Sequence, residues 1–272
     1  MKKYVNLFVF VFMVGACFSQ GKAQTKSAVS YKNPVVDIAM PDPTVIKAAD
    51  GYFYMYATES TRNVPIMKSK DLVQWTYCNT AFTNKTRPRF EPKAGIWAPD
   101  INYINNKYVL YYAMSVWGGE QTCGIGVATA DSPQGPFTDH GKMFRSNEIG
   151  VQNSIDPSFL QYEGRNYLVW GSFRGIYVIE LTEDGLSLKP GAEKKRIAGT
   201  AFEAAYIHKH GDYYYMFASI GSCCEGIRST YKVVVGRSKK VWGPYKDKSG
   251  KPMLKNGYSL VIGANDHFVG NG

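Results

Sequence analysis

The stretch Asn153-Ser154-Ile155-Asp156-Pro157-Ser158-Phe159-Leu160-Gln161-Tyr162-Glu163-Gly164-Arg165-Asn166-Tyr167-Leu168-Val169-Trp170-Gly171-Ser172 decides how the rest of the chain is read. It reads as a strand, a turn at Glu163-Gly164, and a second strand rich in Tyr, Val and Trp. Asp156 stands just before a proline, where the backbone is held extended. Three other stretches share this layout. Asp42-Pro43-Thr44-Val45-Ile46 leads into Gly51 to Ala57, and Ala98-Pro99-Asp100-Ile101 into Tyr108 to Ala113. Glu203-Ala204-Ala205-Tyr206-Ile207 leads into Gly211 to Ala218. In each, the first residue precedes a small residue closing the second strand by 15 positions: 42 to 57, 98 to 113, 156 to 171 and 203 to 218.

Successive first positions lie 56, 58 and 47 residues apart, the spacing of propeller blades of about 40 to 50 residues plus loops. A second echo is independent of the first. Gly124 to Ala130 is followed by Gly135-Pro136-Phe137, and Tyr231 to Ser238 by Gly243-Pro244-Tyr245. Both echoes fit blades of four antiparallel strands whose first strand lies at a central axis. Twenty Tyr and 27 Gly, with 44% hydrophobic residues, favour an all-β protein with a full core. The reading is an all-β, five-bladed β-propeller. A fifth unit is expected to open at Tyr258 to Ile262, and one more period from Glu203 falls at or just past Gly272. The fifth blade is therefore expected to be truncated at the C-terminus, and the natural chain to be longer. The connection from Asn79 to Ile96, with Arg87, Pro88, Arg89, Phe90 and Pro92, is long enough to be expected to serve function.

The N-terminus carries Lys2 and Lys3, then an apolar run from Val5 to Ala16. Residues 1–23 read as a signal peptide, too short to be a membrane span of the mature protein. Val14-Gly15-Ala16-Cys17 also fits a lipoprotein processing box, which would leave Cys17 as a lipid anchor. Residues 24–41 are then a linker and 42–272 the domain. Export to the periplasm, cell surface or medium is expected, with a membrane contact only through Cys17. Losing Lys2, Lys3 and Lys22 lowers the formal charge from +10 to +7. There is no Arg-rich run and no nucleic-acid fold signature, so no nucleic acid is expected as partner. An exported basic protein meets an anionic polysaccharide matrix more readily, although a solvated surface explains the charge as well. Cys78, Cys123, Cys223 and Cys224 lack zinc-ligand spacing; in an oxidising compartment some could pair, with no connectivity legible, and buried, unpaired thiols are the favoured reading.

Inner strands surround a propeller's channel, so equivalent first positions cluster at one end of it. Asp42, Asp156 and Glu203 should converge there although 114 and 47 residues separate them. One carboxylic acid to protonate a leaving oxygen and one carboxylate to activate water are what glycoside hydrolysis needs. A third acid nearby would raise its neighbour's pKa by like-charge repulsion. Acids before prolines also form turns, but three at one repeat position point to a site.

At these residues the chain resembles the five-bladed β-propeller glycosidases of glycoside hydrolase family 43, in particular the α-1,5-L-arabinanases. The resemblance rests on Asp42-Pro43-Thr44, Trp97-Ala98-Pro99-Asp100, Asn153-Ser154-Ile155-Asp156-Pro157 and Phe202-Glu203-Ala204. It rests also on Cys223-Cys224 with Ser229-Thr230-Tyr231-Lys232-Val233-Val234-Val235-Gly236-Arg237-Ser238. It implies that Asp42 is the general base, Glu203 the general acid and Asp156 the modulator of the acid's pKa and orientation. Inversion would set the Asp42 and Glu203 carboxyls roughly 6.5–9.5 Å apart. Trp97 would stack on a sugar face, Asn153 and Ser172 would bond substrate hydroxyls, and Gly124 would let the backbone approach the sugar. The implied polymer is arabinan, the neutral side chain of pectin. Arabinanases also carry a histidine at the start of the fifth blade, associated with a channel cation, calcium in expectation. His267 occupies a different place, so no metal ligand is assigned in this chain. A β-xylosidase or α-L-arabinofuranosidase on the same scaffold, and a carbohydrate-binding propeller without catalysis, are the competing readings.

Overall fold

The first hairpin of the third repeat runs over Ser158–Tyr162 and Arg165–Trp170, with Tyr162 paired to Arg165 across the Glu163-Gly164 turn. It belongs to a computed structural model that describes residues 30–266, 269 and 270. The expected signal peptide, Cys17 and His267 lie outside the described residues. Residues 33–272 form one compact unit.

Four sheets of four antiparallel strands follow one another along the chain, each in simple sequential order. The first holds β1 (Thr44–Lys47), β2 (Phe53–Tyr56), β3 (Pro65–Ser69) and β4 (Trp75–Thr80). The second holds β5 (Gly95–Ile104), β6 (Lys107–Ser115), β7 (Gly124–Ala130) and β8 (Thr138–Arg145). The third holds β9 (Ser158–Tyr162), β10 (Arg165–Trp170), β11 (Ile176–Glu180) and β12 (Lys195–Ala198). The fourth holds β13 (Glu203–His210), β14 (Tyr213–Ile220), β15 (Lys232–Ser238) and β16 (Ser259–Ile262). Consecutive first strands touch, β1 with β5, β5 with β9 and β9 with β13. Four meanders stacked in this way are propeller blades.

The segment Tyr258 to Ile262 does not open a fifth blade. Ser259–Ile262 pairs with β15 as the outermost strand of the fourth sheet. An apolar strand serves an outer edge as readily as an inner one, so the apolar run alone could not distinguish the two. The described residues hold four blades.

Strands that are apolar on both faces hold the blades together. In β6, Leu110, Tyr112 and Met114 enter the cluster that joins the first and second blades, with Tyr54, Tyr56, Ile66, Phe82 and Ile96. The alternate residues Val109 and Tyr111 enter the next cluster, with Phe144, Leu168, Trp170 and Ile179. Strand β10 does the same, giving Leu168 and Trp170 to that cluster and Val169 to the third, beside Val178, Phe202, Met216 and Val234. Side chains alternate across a strand, so a blade between two neighbours must be apolar at every position. Each such side chain contributes roughly 1.5–3 kcal/mol on burial.

The Gly-Pro-aromatic echo also serves these seams. Gly135 and Gly243 take φ of 77° and 80°, which favours glycine. Phe137 and Tyr245 are both buried between blades. The connection from Asn79 to Ile96 is a clamp. Arg87, only 8% exposed, pairs both guanidinium nitrogens with Glu59 and donates to the Ala94 carbonyl at 2.8 Å. Glu59 also accepts the Ile96 and Asn63 amides at 2.9 and 2.8 Å. These bonds fasten the connection onto the first blade. The four described cysteines are free thiols, and against the expectation of burial only Cys123 is buried; Cys224 is exposed.

Candidate active site

At the start of each blade's first strand one residue adopts a left-handed backbone: Asp42 at φ 50°, Ala98 at 39°, Asp156 at 58° and Ala204 at 51°. That conformation costs an ordinary residue about 1–2 kcal/mol, so its recurrence at one place is a built feature. In β5 and β13 it lies in a bulge, between Trp97 and Asp100 and between Glu203 and Tyr206. Trp97 pairs with Ala113, Glu203 with Ser219, and the Gly171 amide donates to the Ile155 carbonyl at 3.0 Å.

The pairing corrects the sequence alignment of the fourth repeat. The residue equivalent to Asp42, Ala98 and Asp156 is Ala204, and Glu203 stands one place earlier, level with Trp97 and Ile155. Counting 15 positions from Ala204 reaches Ser219, a residue as small as Ala218. A count anchored on small residues could not separate the two.

Asp42, Ala98, Asp156 and Ala204 line one cavity of about 690 Å³, together with Thr44, Asp100 and Tyr231. The cavity lies against the heads of the four first strands and reaches Phe217 and Val233 of the fourth blade. Asp42 is exposed, and its carboxylate accepts the Thr58 hydroxyl, which in turn accepts the Ala98 amide at 2.7 Å. The Asp156 carboxylate accepts the Ala204 amide at 3.1 Å. Glu203 is 8% exposed and fully bonded: Tyr231 donates its phenol to one oxygen at 2.6 Å and Ser172 its hydroxyl to the other at 2.7 Å.

The electrostatics are those of crowded carboxylates. Burial pushes Asp156 well above the usual carboxylate range, and the charges of Glu203 and Asp42 push it further. Burial also raises Glu203; the Tyr231 and Ser172 hydrogen bonds oppose the rise, and the Asp42 charge adds to it. The three acids therefore feel one another across the channel. Among the described residues, however, no three His, Cys, Asp or Glu side chains are arranged to hold a metal ion.

The remaining sequence candidates divide. Trp97 is half-buried, packs on Ala113, Cys123 and Ile155, and meets Trp117 with ring centroids 5.6 Å apart. Ser172 is buried, and its hydroxyl is committed to Glu203. Asn153 donates to that hydroxyl at 2.9 Å, so the two residues orient Glu203 where sugar contacts were expected. Gly124 is buried in β7, and a Cβ there would collide with the Phe144 carbonyl of β8. Strand packing alone explains that glycine.

Sequence reasoning passed over three residues. Tyr231 was visible only as part of a strand. Trp117, 78% exposed, was signalled by an aromatic followed by Gly118-Gly119 just beyond a strand. Asp100 stood in a quoted motif without a role. It accepts the Phe159 amide at 2.7 Å, the Asn102 side chain at 2.7 Å and the Thr44 hydroxyl at 3.5 Å. It thereby ties β1, β5 and β9 together, and burial raises its pKa to about 6.

A β-propeller whose cavity is lined by two aspartates, with a desolvated glutamate next in the chain to the lining residue Ala204, has the layout of a glycosidase. The sequence profile of the Glycosyl hydrolases family 43 matches residues 31–272. The chain belongs to that family and is a glycoside hydrolase. It is 38% identical over 245 residues to the extracellular endo-α-(1→5)-L-arabinanase 1 of Bacillus subtilis, covering 85% of this chain and 75% of that protein. It is 35% identical over 259 residues to the extracellular exo-α-(1→5)-L-arabinofuranosidase ArbA of Cellvibrio japonicus, covering 85% and 73%. Among solved structures, the α-L-arabinanase of Cellvibrio cellulosa complexed with arabinohexaose aligns with a TM-score of 0.78 at 33% identity, over 86% of this chain and 81% of that one. The family 43 endo-arabinanase of Bacillus licheniformis aligns with a TM-score of 0.77 at 34% identity, over 87% and 84%.

Proposed function

We propose that the protein cleaves α-1,5-L-arabinofuranosidic linkages of arabinan with inversion of configuration, outside the cytoplasm. The observation that carries the chemistry is the unequal treatment of the acids. Glu203 is desolvated and held by two hydroxyl donors, while Asp42 is exposed at the cavity wall. A carboxyl group with a raised pKa keeps its proton near neutral pH and delivers it to the departing sugar oxygen. The solvated carboxylate of Asp42 takes a proton from water as that water attacks the anomeric carbon. Asp156 accepts the Ala204 amide, fixing the backbone next to Glu203, and the charge of Asp42 supports the proton on the acid.

Linkage and polymer come from the relatives. Both curated relatives act on α-1,5-linked L-arabinose by name, one internally and one from chain ends. Their extracellular setting supports export. The propeller is proposed to have five blades, as in the family that the repeats resemble.

Incubation of the protein with debranched arabinan, with products followed over time, tests this reading. A ladder of oligosaccharides marks internal cleavage and a single small product marks attack from one end. Absence of any release from arabinan, beside release from xylan or aryl arabinofuranoside, transfers the activity to a sister enzyme class.

A further inference from the structure

The fourth blade carries a charge pattern that hydrolysis of a neutral polymer does not require. Residues 203–266 hold ten Lys and Arg against five Asp and Glu. Among the described residues, none of these ten cations enters an ion pair; the seven ion pairs all lie between Glu59 and Lys189. Five of the ten line a depression on the outer part of the blade: Arg237, Lys239, Lys240, Lys246 and Lys248. An adjoining depression shares Arg237, Lys246 and Lys248, so the two form a continuous groove. All five side chains are exposed.

The backbone sets these charges against one another. Arg237 and Lys246 exchange both main-chain hydrogen bonds at 2.9 Å, which places them directly opposite on neighbouring segments. Like charges in that register destabilise a sheet. Lys239 and Lys248 lie two residues further along each segment. The one acid in the groove, Asp247, does not neutralise them. Its carboxylate accepts the Ser249 amide and hydroxyl at 2.9 and 2.7 Å and the Lys251 amide at 2.8 Å, closing the turn. Arg237 is held over the Tyr213 ring, 4.4 Å from its centroid, with Lys239 at 5.8 Å from the same ring. An aromatic platform beneath a row of unpaired cations suits a polymer of sugar rings that each carry a carboxylate.

We infer that this groove of the fourth blade is a docking surface for an acidic polysaccharide of uronate residues, separate from the catalytic cavity. The choice of a polyuronate over another polyanion rests on the proposed action on arabinan, a neutral side chain whose parent backbone is acidic. Docking on that backbone would hold the enzyme beside its neutral substrate and raise the local concentration of cleavable chains.

The test uses the full chain with immobilised polygalacturonate, at low salt and at about 0.15 M, and measures hydrolysis of a short neutral arabino-oligosaccharide in parallel. Polygalacturonate is expected to bind at low salt and weaken with added salt. Lys239→Gln/Lys246→Gln is expected to lower affinity about tenfold and flatten the salt dependence. Lys194→Gln/Lys195→Gln, which removes the same charge from the third blade, is expected to leave binding unchanged. Equal loss in both double variants, or no binding by the wild type, overturns the inference. So does duplex DNA bound as tightly and with the same sensitivity to Lys239 and Lys246. Hydrolysis of the oligosaccharide is expected to be the same in all three proteins. Binding with the expected variant pattern but without hydrolysis supports the groove and overturns the arabinan reading.

Discussion

The Tyr231 phenol, 28 residues further along the chain and just ahead of β15, donates to Glu203 Oε1 at 2.6 Å. A donor to a carboxylate favours its charged form, which is the form the general acid reaches after giving up its proton. Loss of a hydrogen bond to a charged group costs roughly 1.5–3 kcal/mol. Tyr231→Phe is therefore expected to lower kcat about 10- to 100-fold. It should also move the alkaline limb of the pH–rate profile upward, because Glu203 without this donor holds its proton to higher pH. A profile whose alkaline limb does not move counts against Glu203 as the acid.

Glu203→Gln removes the proton donor and keeps the shape of the side chain. Turnover on linear arabinan should fall by roughly 10²–10⁴-fold. Asp42→Asn should produce a similar loss with little change in KM. Near wild-type rates in either variant would show that the roles lie elsewhere.

Asp100 makes a pH-dependent contribution to stability. Burial raises its pKa from 3.8 to about 6, so the folded protein binds this proton more tightly than the unfolded chain. The stabilisation is complete below about pH 4 and is lost as pH rises through about 6, on the order of 3 kcal/mol. Asp100→Asn should remove that slope, giving a melting temperature closer to wild type at pH 4 than at pH 7. Urea or thermal unfolding across this range measures it.

Arg87→Ala would leave Glu59 buried without its partner. Breaking a buried pair in this way costs about 3–5 kcal/mol, so a large fall in the urea midpoint is expected. Because the pair lies in the seam of the first blade, activity at temperatures where the variant stays folded should change little.

Trp117 is exposed and touches the half-buried Trp97. Trp117→Ala should alter stability by less than about 0.5 kcal/mol. An increase in KM for polymeric arabinan with kcat retained would mark the pair as a sugar platform.

Much of this arrangement is legible without coordinates. Strand and turn composition marks the hairpins, the repeat marks the blades, and acids recurring at the head of a repeat mark the channel. Legibility ends where one residue of register matters. Glu203 and Ala204 both fit the count along the chain, and only the ladder to Ser219 shows which of them takes the left-handed position. The same limit applied to Tyr258 to Ile262, whose apolar character suited either the last strand of one blade or the first of another.

The amino-acid order by itself determined the all-β repeat, the acids at or beside the head of three of its units and the excess of basic charge. The tertiary structure alone decided that Tyr231 and Ser172 grip Glu203, that Asp100 ties three blades, and that Arg237 faces Lys246. The reason is physical. Strand formation depends on neighbours within a few residues, whereas a hydrogen bond across a channel depends on how separate blades stack. A slip of one residue turns every side chain of a strand to its other face.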